Sequence, residues 1–320
     1  MSGGLDPPVL PSFRLSVVRS APMGLSAAVR WLGYAALFLV VGVLVLQLIA
    51  HRMGQADQDI RAHIRDRGRR LGASAAMLLL VACALRLLLQ VKSVGEPGTP
   101  MDWSAIAPIV RATTWGHGWS WQAGGAIASI VGFVLSRHLA PGWAIAWLGA
   151  IVAVGAAPLT GHAAEHPWGP ALGSVLQGTH LLAGAVWLGT LAAVVSVAYP
   201  AVAGDERRER ILAGIVHSYS PVALTGGLVA IAAGVVLAIA YVDSFGALAG
   251  TAYGRALLLK VLLLAGVAAT GAYNWRRVRP AMGDEPGAAR LRRSATAELA
   301  FGTLLLAATA VLVALPASGM

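Results

Sequence analysis

Charged residues are what this sequence has least of. Asp, Glu, Lys and Arg together make up 12% of 320 residues, about half the roughly 25% of a soluble domain. A soluble chain of this length could not cover itself with so little polar surface. Cysteine occurs once, as Cys83, which excludes an internal disulfide; midway along an apolar run, its role is packing. Enzymatic signatures are missing too. There is no phosphate-cradling glycine loop, no His-Glu-x-x-His and no nucleophile elbow, so the chain reads as a non-enzyme. Acidic residues number 14 against 24 Lys and Arg, a net charge of +10. That excess does not indicate nucleic acid, because the basic residues sit in short loops between apolar runs, where they act as topology signals.

What remains is apolar. Hydrophobic residues make up 57% of the chain, and the mean hydropathy is +0.71. Long apolar runs fall at about 27–50, 71–91, 118–136, 142–160, 172–199, 213–241, 254–275 and 295–315. Each is near the roughly 20 residues that cross a bilayer as a helix. A barrel would instead alternate apolar and polar residues, which stretches such as Ala35 to Ile49 do not. The expected fold is an all-α integral membrane bundle of about eight transmembrane helices. Residues 1–25 form a polar N-terminal tail rich in Pro and Ser, and 92–116 a long loop with room for a short surface helix. Abundant Gly and Ala serve close helix packing.

Loops 51–70, 137–141, 200–212 and 276–294 hold sixteen of the 24 basic residues. The positive-inside rule places them in the cytoplasm, so both termini are extracytoplasmic, together with loops 92–116 and 161–171.

Four of the eight histidines then fall on the outer side: His117, His162, His166 and His180. Imidazole is a common ligand that suits copper, zinc and iron. His162 ends the fourth run, His166 follows in the loop, His180 lies inside the fifth run, and His117 opens the third. A loop histidine at a membrane interface ordinarily bonds water or headgroups. His180 is different, because a polar ring inside a span needs a partner and faces the bundle interior. His162 and His180 are therefore the leading ligands for Cu(I) or Cu(II), with His117 and His166 behind them. Sulfur is sparse here: apart from Met1, Met23 and Met320 near the termini, Met101 is the only outer methionine.

Arg86, Lys260 and Glu298 lie within spans. Such charges are paired, snorkelling or functional, and snorkelling accounts for all three, with a Glu298 relay as the sharper alternative. Trp103, Trp115, Trp119, Trp121 and Trp168 form an outer aromatic belt. Trp187, seven residues after His180, shares its helical face and is placed to wall a histidine pocket.

The segment His180-Leu181-Leu182-Ala183-Gly184-Ala185-Val186-Trp187-Leu188-Gly189-Thr190-Leu191 resembles the His-Leu-Leu…Trp-Leu-Gly-Gly-Leu signature of the copper resistance protein D family (CopD, PcoD). Gly161-His162-Ala163, Ser218 to Leu224 with Ser220-Pro221, Thr251-Ala252-Tyr253-Gly254-Arg255 with Lys260, and Leu291 to Ser294 with Glu298 resemble further family segments in the family's order. The likeness covers roughly 155–316, and divides the chain into the tail, a four-helix half at 26–154 and a CopD-like half at 155–320. It implies a multi-pass protein of the bacterial cytoplasmic (inner) membrane that handles copper. Such a protein would transport or take up copper, or accept it from a periplasmic carrier protein, with His162 and His180 at family positions. Trp115-Gly116-His117-Gly118-Trp119 departs from the family's Thr-x-x-Gly-Arg-x-Trp. His117 thus stands for a basic residue, which either adds a ligand or marks a divergent role.

Two other classes compete. One is a membrane cytochrome holding haem b between paired histidines, with His180 opposite His117 or His162. The other is a metal-free structural subunit of a larger membrane complex.

Overall fold

The computed structural model describes residues 23–94, 103–161, 166–242, 244–278 and 286–315. Helix is the only extended regular structure among them. The apolar runs become α1 (Met23–His51), α2 (Gln58–Val94), α4 (Thr114–Leu135), α5 (Gly142–Ala156), α6 (Pro170–Ala201), α7 (Arg208–Tyr241), α9 (Ala252–Tyr273) and α10 (Pro286–Ala314). Two short helices, α3 (Trp103–Ala112) and α8 (Phe245–Gly250), complete the order. Of the described helices, seven are long and apolar enough to cross a membrane. The remaining long one, α4, is 22 residues and carries His117, Ser120, Gln122 and five glycines, which dilute its apolar character. It packs between α2 and α5 all the same.

Several expected boundaries move. Residues 58–70, read as loop, are the first turns of α2, and 286–294 the first turns of α10. Arg and Ala are good helix formers, and Asp66 pairs with Arg69 at 2.7 Å and with Arg70 one turn on. These helices therefore continue into water. The polar stretch 92–116 does carry a helix, α3. The end of the next, α4, is set by Thr113, whose hydroxyl accepts the Gly116 N–H at 2.9 Å, satisfying one orphan amide of the first turn.

Small residues set the helix spacing. A Cβ on Gly125 would stand 2.6 Å from the Gly149 carbonyl oxygen, so α4 and α5 meet backbone to backbone. Gly42 of α1 and Gly189 of α6 meet in the same way. With no hydrophobic drive between helices in lipid, such close contact is a main source of association. Around the Gly42 crossing, Leu37, Leu44 and Leu46 are fully buried.

α6 is not a uniform helix. Ala185–Gly189 and Val194–Ala198 are π turns, and a third, Asn274–Val278, extends α9. A π turn inserts a residue and frees a carbonyl, and such turns recur at functional sites. The Trp187 carbonyl oxygen, within the first of these turns, accepts the Tyr219 hydroxyl proton at 3.0 Å.

All four basic loops gather at one end. Arg207 reaches the Ala56 carbonyl at 2.7 Å, and Arg210 reaches Asp57 at 3.0 Å, tying the α6–α7 loop to the α1–α2 loop. Arg65 lies over the Trp143 ring at 5.9 Å, and Arg292 over the Tyr199 ring at 5.6 Å. These contacts bring α5 and α10 to the same face. At the opposite end α7 and α9 barely touch, and α9 leans chiefly on α10.

Candidate functional site

A cavity of about 90 Å³ opens in the half of the bundle away from the basic loops. At roughly 10–15 Å³ per water centre, it has room for an ion with a few ligands. Tyr34, Gly161, Gln177, His180, Tyr241, Tyr253, Lys260 and Thr309 line it, with aliphatic residues between them. The walls thus come from α1, the turn after α5, α6, α7, α9 and α10.

His180 sits ten residues into α6, about 15 Å along the helix at 1.5 Å per residue. Its Nδ1 is 2.7 Å from the Ala230 carbonyl oxygen of α7. A carbonyl only accepts, so Nδ1 carries the proton, and the neutral ring keeps the Nε2 lone pair free. Ligating histidines are commonly oriented by such a bond from the other ring nitrogen. Gly234 makes room for the ring: a Cβ there would stand 3.0 Å from His180 Cε1.

The other expected ligands are placed differently. His162 lies outside the described residues, although Gly161, immediately before it, lines the cavity. His166 is buried; its Nδ1 accepts the Trp168 N–H at 3.1 Å, and its Nε2 finds no partner among the described residues. The ring stands edge-on to Tyr241, centroids 5.2 Å apart, so a cavity-lining residue separates His166 from the cavity. His117 is exposed on the first turn of α4, with Nε2 3.0 Å from the Arg111 carbonyl, and is not part of the lining. Among the described residues no three His, Cys, Asp or Glu side chains come together.

The three intramembrane charges do not simply snorkel. Arg86 donates to Gln122 and to the Thr160 carbonyl, each at 3.0 Å. It thereby fixes the turn that leads into Gly161 and His162. Lys260 lines the same cavity as His180. Glu298 is buried and accepts from Asn274 at 2.9 Å. Trp187 is not part of the cavity lining: its ring packs on Gly227 and its Cβ on Gly226.

Sequence reasoning missed the three cavity tyrosines and Gln177. A polar group recurring inside apolar runs was the available signal, but each is common at interfaces and none stands out alone.

The donor set of the cavity is nitrogen and oxygen, with no Met or Cys in the lining. Imidazole with oxygen donors suits copper. The volume is well below the roughly 300–1,000 Å³ of sites for drug-sized molecules, and a haem is larger than most of these.

No curated protein and no solved structure matches the chain. Family models do. The model of copper resistance protein D matches residues 213–312, which include α9, most of α7 and nearly all of α10. The model of the copper resistance protein D-like N-terminal domain matches 22–167, from α1 to the turn that ends in His166. Together they span most of the molecule and all but the α6 wall of the cavity: the chain belongs to the copper resistance protein D family.

Proposed function

We propose that this protein moves copper across the bacterial cytoplasmic membrane, taking it up from the outer side, where a periplasmic carrier protein would supply it, through the cavity at His180. The basic loops then face the cytoplasm, α4 is the eighth span, and both termini lie outside. The observation that carries this reading is the His180 ring, inside a polar cavity with Nδ1 bonded to Ala230, so that Nε2 is the free donor. The cavity supplies further oxygen donors from its tyrosines. His162 follows directly on a lining residue and is the second imidazole; His166, one tyrosine away, completes the route inward from the loop.

Lys260 sets a condition on the site. An ammonium group beside a copper ligand repels the metal, and its four-carbon arm lets it swing aside. Lys260 is therefore a gate on affinity rather than a ligand.

Uptake of radioactive copper by right-side-out vesicles tests the proposal. Saturable uptake that depends on the protein and is lost in His180→Ala is expected. Equal uptake in wild type and variant, or in vesicles lacking the protein, would overturn it.

A further inference from the structure

A second polar centre lies on the same helices, nearer the basic end. Its core is the Glu298 carboxyl of α10, six residues from Arg292 and so about 9 Å along the helix from that arginine. It is 5% exposed. Asn274 donates to Oε2 at 2.9 Å, and Gly271 leaves space beside Oε1, where a Cβ would stand 3.6 Å away. The Asn274 oxygen in turn accepts from the half-buried Ser294 hydroxyl, one turn closer to water. A chain of hydrogen bonds thus runs from the buried carboxyl towards the exposed Arg292 and Arg293.

Among the described residues no Lys, Arg or His forms an ion pair with Glu298. A buried carboxylate without a cation is costly, whereas a buried carboxylic acid is not. Yet Asn274 points an N–H donor at it, a contact that favours the charged form. The two tendencies oppose each other on one group, and the donor sits in a π turn, a feature that recurs at functional sites.

We propose that Glu298 is a proton-exchange site, which holds a proton when the Asn274 turn relaxes away and releases it to water at the basic end when Asn274 closes on the carboxylate. The ligand is a proton: the acid O–H bond breaks, the carboxylate keeps the electron pair, and the proton passes to water at the basic end. Among the described residues, the surrounding groups leave Glu298 as the one acid there. On α7, Tyr219 is buried with its hydroxyl committed to the Trp187 carbonyl, and His217 has a partner of its own. On α9, Tyr273, Arg276 and Arg277 are exposed. On α10, Arg292 is turned onto Tyr199 at the end of α6, and Arg293 is exposed. α1 carries no titratable side chain between Tyr34 and His51.

This site stands independently of copper binding, and its test reads no metal. Infrared difference spectra of the full-length protein in detergent would be recorded between about pH 5 and about pH 9, spanning displaced carboxyl titrations. The expected result is a carboxylic-acid C=O band that vanishes as pH rises and is missing from Glu298→Gln. Asn274→Ala, which removes one donor to the carboxylate, moves the midpoint of that band upward by about one pH unit. It also serves if Glu298→Gln does not fold. Spectra of wild type and Asn274→Ala that show no titrating band, or a band that persists in folded Glu298→Gln, would overturn the assignment.

Discussion

At the scale of single residues, the molecule turns on which polar groups have a fixed partner and which keep a free one. The His180 Nδ1–H is committed to Ala230, and its free Nε2 is what a metal would meet. His180→Ala is expected to abolish binding at the cavity while leaving elution and helix content unchanged, because the ring is only half-buried; size-exclusion and circular dichroism check the fold. Lys260→Met removes a like charge and is expected to tighten copper binding about tenfold, on the order of 1–2 kcal/mol, read by competition with a chelator of known affinity. Unchanged or weaker binding would count against the gate. His180 was legible in the sequence, since an imidazole inside an apolar run has few bland explanations. Trp187 was misplaced, because a seven-residue spacing assumes regular helix and the π turn at Ala185–Gly189 intervenes. The tyrosines, and Asn274 as the partner of Glu298, were illegible: which polar groups meet depends on helix order around the bundle, which no spacing along the chain encodes.

At the scale of elements, two devices hold the cavity in place. The backbone contact of α1 and α6 at Gly42 and Gly189 leaves no space for a side chain, so Gly189→Leu is expected to prevent assembly of a monodisperse protein. Arg86 ties α2 to α4 and to the Thr160 carbonyl. Arg86→Met is expected to cost about 1–3 kcal/mol of stability, measured by thermal unfolding in detergent, and to weaken copper binding by loosening the Gly161 wall. At the basic end, side-chain and backbone hydrogen bonds from Arg207 hold the Asp205 carboxyl below its ordinary value of 3.8. With the folded value lowered, the contribution is complete above that ordinary value and is lost as pH falls through the lowered one. Amide exchange in residues 202–208, corrected for intrinsic rate, is therefore expected to quicken as the pH falls below 3.8. Helix existence was readable from apolar runs, whereas helix ends at the basic side were not. Arg-rich turns look like loop by hydropathy and are helix by propensity, as at 58–70 and 286–294.

At the scale of the whole molecule, two polar centres share α6, α7, α9 and α10, one around His180 and one around Glu298. From His180 to Trp187 is seven residues of α6, and from Thr309 to Glu298 is eleven of α10, so the centres stand about 10–17 Å apart along the helices. The arrangement suits entry at one face and coupling near the other. It also commits to an orientation: residues 1–22 are expected to be cleaved by protease added to right-side-out vesicles and protected in inverted ones, and the reverse pattern would invert the direction of uptake. The central claim is that the cavity at His180 is a copper site. It is tested most directly by metal analysis and an absorption spectrum on one copper-exposed, detergent-purified sample of wild type and His180→Ala. About one copper per chain in wild type, markedly less in the variant, and no Soret band in either is the predicted result. Equal copper in both proteins, or a Soret band with split visible bands on reduction, would contradict it.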